Sequence, residues 1–261
     1  MSIIVCSPST QNFLEGEKFI VHSPPTKNIL SLQKSFKDVI AIGGGAVIDT
    51  AKILSKNPIT CYPTTAAGAT ATSHSVYWDG DNKLNFNSHI PKKVIFESKF
   101  IKSLPKDVLQ YTKYDAISHC LDVMWSKNFD KVNNIEVKNT LKKLTNPNIK
   151  PIDVIKLGHK AGTFIQKVPT TILHALSYPI TGKYGISHGK ALGFLISPLC
   201  ELFNQKIDIK KYNISLDIDI NFIINEAQTY PKFFNTSKKI NLKQLKILLD
   251  YANTKRIDNK I

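Results

Sequence analysis

The sequence predicts an α/β domain followed by an all-helical domain, with the change near residue 104. Three observations carry this. Asp38-Val-Ile-Ala-Ile42 is an apolar, β-branched run that leads straight into Gly43-Gly-Gly45 and then into Ala46-Val-Ile-Asp-Thr-Ala-Lys-Ile-Leu54. Strand, glycine turn and helix in that order form the unit of a buried parallel sheet. From Leu104-Pro105 onward the apolar residues instead take helical spacing, as in Leu242, Leu245, Leu248, Leu249 and Ala252. The chemistry-bearing histidines also gather in this second half, with His119, His174 and His188 all beyond residue 104.

Taken in order, Ile3-Ile-Val-Cys6 is a short β-branched run suited to an edge strand, and Lys18-Phe-Ile-Val-His22 reads as a strand. Ser23-Pro-Pro-Thr is a turn, and Lys27 to Phe36 reads as a helix with Ile29, Leu30, Leu32 and Phe36 on one side. Asp38 to Ile42 is the buried strand. The triple glycine after it has two readings, a phosphate cradle at a helix N-terminus or a tight turn without a ligand. Ile59-Thr-Cys-Tyr62 is another strand, followed by the small, hydroxyl-rich loop Pro63 to Ser73. His74 and His89 read as loop residues. Beyond residue 104, Asp107 to Trp125 is a helix, Ser126 to Pro151 is solvated helix and connections, and Ile152 to Lys167 is a helix on which His159 is structural. An Ile/Asp-alternating segment runs to Ile223.

Two stretches carry metal chemistry. Asp115-Ala-Ile-Ser-His119 places a carboxylate and an imidazole at i and i+4, which share one face of a helix. His174 opens an Ala-Leu-Ser-Tyr-Pro run that reads as a helix ended near Pro179. Thr181 to Ser187 has the glycines of a loop, and His188 begins a buried helix. One carboxylate and three imidazoles suit a divalent first-row ion such as iron or zinc. Each histidine taken alone is equally a satisfied core residue.

The formal net charge of +15 invites a nucleic-acid reading, but Arg256 is the only arginine and the lysines are spread among Asn and Ile. Phosphate-reading sites favour clustered arginine with aromatics, so no nucleic-acid partner is expected. Cys6, Cys61, Cys120 and Cys200 form no C-x-x-C pair and read as free thiols of a reducing compartment. No basic region precedes the first apolar patch and no run has the length of a membrane span. The expectation is a soluble cytoplasmic protein without a membrane partner.

Asp115-Ala-Ile-Ser-His119, the Thr170-Thr-Ile-Leu-His-Ala-Leu-Ser-Tyr-Pro179 segment and His188-Gly-Lys-Ala-Leu-Gly193 together resemble the iron-containing alcohol dehydrogenases, whose signature is D-A-x-x-H, a histidine-led segment and H-G-x-A-x-G. The middle segment is most similar to the phosphonoacetaldehyde reductase branch. The resemblance implies an α/β N-terminal dinucleotide-binding domain (1–104) and an all-α metal-binding domain (105–261), the fold shared with dehydroquinate synthase. It implies Asp115, His119, His174 and His188 as metal ligands and catalytic residues. Gly43, Gly44 and Gly45 then seat the pyrophosphate of NAD(H) or NADP(H), and Asp49 serves its phosphate or ribose region. Thr64, Thr65 and Gly68 match the loop under the nicotinamide, and Lys83 matches a cofactor-contacting lysine; Ala69 and Ala71 depart from that loop. Tyr178 stands where many members carry a further histidine. The substrate implied is a small alcohol or aldehyde. Relative to the family, the N-terminal β-α unit and the helical domain are expected to be shortened. Without a helix in Ser7 to Glu17, the expected outcomes are self-association through an open sheet edge or an edge sealed by residues 1–17. A shortened paralogue that binds metal or a partner without turnover and a dehydroquinate synthase-like non-redox enzyme are the alternatives; the aspartate-led helix favours the dehydrogenases.

Overall fold

A computed structural model describes residues 2–102, 104–207 and 216–254 of the chain. The elements of the first part are β1 (Ser2–Cys6), β2 (Lys18–Ile20), β3 (Asp38–Gly43), α1 (Gly45–Leu54), β4 (Thr60–Pro63), β5 (His74–Asp79), β6 (Asn82–Asn87) and β7 (Lys93–Val94). Five of these strands form a parallel sheet in the order β2-β1-β3-β4-β7, and β5 and β6 form a separate antiparallel hairpin.

β1 is therefore internal, paired with both β2 and β3, and not the edge strand its sequence suggests. The reason is burial on two faces. Ile3 and Val5 pack with α1, while Ile4 and Cys6 pack on the other side with Phe100. A strand that is apolar from Ile3 through Cys6 has no face to give to water. The connection from β1 to β2 contains no helix, yet Phe13 and Leu14 from it cover the second face, with the Phe13 and Phe100 rings 4.7 Å apart. The chain's own residues 2–20 thus close this side of the sheet, and β2 is an edge of only three residues, short enough to be a poor template for another strand.

The helix expected over Lys27 to Phe36 is instead a 3-10 helix, Lys27–Leu32, with no buried residue. Lys34, at φ 53°, takes the left-handed conformation and stops any α-helical continuation. His74, expected in a loop, lies on β5. The sequence reading missed this hairpin; its two-residue turn is Gly80-Asp81, with Gly80 at φ 57°.

The second part is helical: α2 (Lys106–Trp125), α3 (Asn134–Thr145), α4 (Pro151–Lys167), α5 (Ile172–Tyr184), α6 (His188–Leu202), α7 (Ile220–Ala227) and α8 (Leu242–Thr254). α5 does not end at Pro179 but runs through it. Its residues from Ile172 to Ile180 are all buried, and that packing outweighs the lost backbone hydrogen bond. The terminator is Gly185, left-handed at φ 64°, whose N–H caps the Thr181 carbonyl. The Ile/Asp-alternating stretch lies partly outside the described residues, as does Arg256; its end forms α7.

The packing of α4 on the loop after β4 helps to join the two parts and positions the site. On α4, Gly158 and Gly162 face the loop after β4. A Cβ at Gly158 would lie 2.3 Å from the Ala66 carbonyl oxygen, and one at Gly162 would lie 2.9 Å from that of Gly68. Thr70 Oγ1 and His159 Nδ1, 3.0 Å apart, pin the same loop to α4, which gives His159 the structural role expected. Gly158→Ala should accordingly lower stability by about 1 to 3 kcal/mol, because the loop backbone is the obstacle and has no slack; urea unfolding followed by circular dichroism reads it, and an unchanged midpoint would show that the loop is free to retreat.

Candidate functional site

Four ligand-type side chains come together from three helices. Asp115 and His119 sit one turn apart on α2, His174 lies in the first turn of α5, and His188 opens α6. Asp115 Oδ1 lies 3.4 Å from His119 Nε2, 3.6 Å from His174 Nε2 and 3.9 Å from His188 Nε2. Ligand atoms of Asp115, His119 and His174 all fall within 4.8 Å of one another. The His119 and His174 rings stack at 4.9 Å, and the His188 ring stands 5.4 Å from that of His174. His188 is the outermost, its side chain 24% exposed against 5% and 4% for the other two.

The electrostatics follow from burial and proximity. Burial favours a neutral Asp115, but the three imidazoles around it hold its carboxyl well below the ordinary carboxylate range. Burial pushes His119 down to about 4 and His188 well below its usual value, so both are neutral imidazoles at neutral pH. Burial works against a charged His174 too, yet the neighbouring Asp115 carboxylate and the hydrogen-bonded Asp122 raise it to about 9. Asp115 Oδ1 and His174 Nε2 are buried without a hydrogen-bond partner among the described residues. An orphaned carboxylate oxygen facing three imidazole nitrogens is a donor set that fits a divalent cation.

Asp122 is the residue the sequence reading missed. Fully buried on α2, it accepts hydrogen bonds from His174 Nδ1 at 2.7 Å, Thr171 Oγ1 at 2.6 Å, Leu173 N at 3.0 Å and His174 N at 3.3 Å. A carboxylate on Nδ1 fixes the ring and leaves Nε2 aimed at Asp115. Its signal was present as the i, i+4, i+7 row Asp115, His119, Asp122 on one helix face.

The glycine turn and the loop after β4 also meet. Thr64 N donates to Gly43 O at 3.0 Å. A Cβ at Gly44 would stand 3.1 Å from Thr65 Oγ1, and one at Gly45 would stand 3.0 Å from Ala67 Cβ. α1 starts at Gly45 with no side chain capping its first turn, so its free N–H groups fit an anion. The turn lies at the carboxyl ends of neighbouring parallel strands, beside the point where the strand order reverses between β1 and β3. Gly68 carries the loop onto the histidine cluster: its Cβ would lie 3.0 Å from His119 Cε1. Asp49 is buried on α1, hydrogen-bonded to the Val76 backbone, and burial raises it to about 6. Lys83, on β6, holds its Nζ 4.8 Å from the centre of the Tyr178 ring, beside the histidine cluster.

No family model matches the chain. The 4-hydroxybutyrate dehydrogenase of Clostridium kluyveri is 24% identical over 252 positions, covering 76% of this chain and 66% of that protein. A maleylacetate reductase of Pseudomonas knackmussii is 33% identical over 93 positions, covering 34% and 26%. The matches thus span less than two thirds of these relatives' own lengths. Among solved structures, an iron-containing alcohol dehydrogenase from Corynebacterium glutamicum superposes with a TM-score of 0.82 at 15% identity, covering 97% of this chain and 88% of that one. A sulfoacetaldehyde reductase from Bifidobacterium kashiwanohense, solved in complex with NAD+, gives 0.77 at 18% identity, covering 97% and 91%. The structural likeness is one of fold, shared with iron-containing alcohol dehydrogenases, and the sequence relatives are oxidoreductases.

Proposed function

We propose that the chain is a metal-dependent alcohol dehydrogenase or aldehyde reductase that moves a hydride between NAD(H) or NADP(H) and a small alcohol or aldehyde. The observation that carries this reading is the approach of three imidazole Nε2 atoms to Asp115 Oδ1, next to a loop that joins them to an uncapped helix N-terminus. Asp115, His119, His174 and His188 would hold the ion, with iron preferred to zinc by the family resemblance. When bound, the ion supplies Lewis acidity towards an alcohol or carbonyl oxygen and the nicotinamide gives or takes the hydride.

The chain's own residues do the rest. Asp115 offsets cationic charge that would otherwise be buried. Asp122 holds His174 in one tautomer. Gly43, Gly44 and Gly45 admit a pyrophosphate to the N–H groups of α1, and Thr64 and Thr65 offer hydroxyls beside that turn. Gly68 brings that loop against His119 and keeps water from the reacting carbon. Asp49 sits against the Val76 backbone, and the charge of Lys83 bears on both Asp49 and His188. Residues 1–104 would form the cofactor-binding domain and 105–261 the metal-binding domain, with phosphonoacetaldehyde among the aldehydes to try. The four cysteines are buried free thiols, and no described helix is long and apolar enough to cross a membrane; a reducing cytoplasm suits both.

Purified protein is expected to hold about one divalent ion per chain, and a His174→Ala/His188→Ala double variant to hold none; equal contents by elemental analysis would refute the ligand set. Asp122→Asn should weaken metal affinity about 10- to 100-fold, read by competition with a chelator.

Proton release gives an independent check. At pH 7 His174 lies below its raised value of about 9, so it is protonated before metal binding. It must lose that proton for Nε2 to ligate, so calorimetry in buffers of different ionisation enthalpy should show about one proton released per ion. The release should vanish as pH rises through about 9.

Gly44→Val should abolish NAD(H) binding, because the side chain meets Thr65 and crowds the anion's place; unchanged calorimetric affinity would remove the cofactor from this turn. Oxidation of NADH or NADPH by the metal-loaded chain with a panel of small aldehydes tests the activity itself.

A further inference from the structure

We propose that this site takes a substrate with an anionic end, a carboxylate, sulfonate or phosphonate, seated by Lys232 with Lys83 beside the Tyr178 ring. This rests on the reductase reading above and narrows its substrate class.

Lys232 comes from the short 3-10 helix Pro231–Phe234 that follows α7. Its Nζ donates to Tyr178 Oη at 2.8 Å and to Thr170 Oγ1 at 3.2 Å. Its ammonium lies 4.7 Å from the centre of the Tyr178 ring, and that of Lys83 lies 4.8 Å from the same centre. Two cations from opposite halves of the chain thus converge on one buried ring. Neither forms an ion pair among the described residues, whereas Lys27, Lys160 and Lys246 each pair with a carboxylate.

Like charges held against one ring repel, and contact with a ring face returns only about 0.5 to 2 kcal/mol per cation. Phenol and hydroxyl oxygens satisfy the ammonium protons without neutralising the charge. An anion brought by the substrate would supply that neutralisation.

The place is right for a substrate's far end. The Tyr178 ring stands 6.1 Å from that of His188, the outermost and most exposed of the imidazoles. With C–C bonds of about 1.5 Å, an aldehyde of roughly four carbons bridges from the histidine cluster to the lysines. The chain's net charge of +15 favours approach of such a molecule.

The test titrates the full chain calorimetrically with butyrate, propanesulfonate, propylphosphonate and neutral butyramide. The anions should bind and butyramide should not, and the tightest of the three names the head group. Lys232→Met should weaken the anions by roughly ten- to a hundredfold, Lys232→Arg should restore them, and Lys246→Met, which removes a distant positive charge, should change nothing. Lys83→Met supplies a second measurement should Lys232→Met fail to fold. Equal anion affinity in wild type and both methionine variants, or an equal loss in Lys246→Met, would overturn the proposal. Turnover of 4-oxobutanoate and butanal is measured separately. Selective loss of 4-oxobutanoate through KM in Lys232→Met supports the proposal, and an unchanged KM for it overturns it. Intact anion binding with no turnover of either aldehyde would remove the reductase reading while leaving the anion seat standing.

Discussion

The buried carboxylate of Asp122 is the interaction on which the site depends. α5 begins without a capping side chain of its own, and Asp122 from α2 takes that place, accepting the N–H groups of Leu173 and His174. An anion at a helix N-terminus satisfies free donors and opposes the helix dipole. The same carboxylate then takes Nδ1 of His174 and the hydroxyl of Thr171. One group thus docks two helices, sets the orientation of one imidazole and turns its free nitrogen toward Asp115. A buried charge with four donors is tolerable where an unpaired one is not.

Close backbone approach is the second constraint, and it links cofactor chemistry to metal chemistry. Gly158 and Gly162 let α4 press on the loop after β4, and Gly68 lets that loop touch His119. Gly44 and Gly45 bring the first turn of α1 against Thr65 and Ala67 of the same loop. Side chains at these points would separate the helix N-terminus from the histidines by the width of a methyl group or more. Ala71, which departs from the family loop, packs its small side chain over Gly162 and preserves the approach.

The surroundings of the site are cationic on the side where it opens. Lys83 and Lys232 lower the phenol of Tyr178, and both lower His74 as well. Burial would raise the phenol of Tyr178, and the two lysines outweigh it, bringing it to about 7. Lysine-rich composition alone says little about substrate; two lysines converging on one ring beside His188 say a good deal more.

Much was determined by the sequence itself. The β3–glycine–α1 unit, the Asp115/His119 face and the placement of His188 at a helix start are local patterns, set by residues within a few positions of one another. What the tertiary structure decided involves partners remote in the chain. β1 became internal because both its faces found apolar cover, from α1 on one side and from Phe13, Leu14 and Phe100 on the other. α5 ran through Pro179 because complete burial outweighed one lost hydrogen bond. Asp122 meets His174 across fifty-two positions and Lys232 meets Tyr178 across fifty-four. A single lysine or aspartate carries no mark of such a meeting. Local propensity depends on neighbours along the chain, whereas the charge and hydrogen bonding of a site depend on neighbours in space, which only packing brings together.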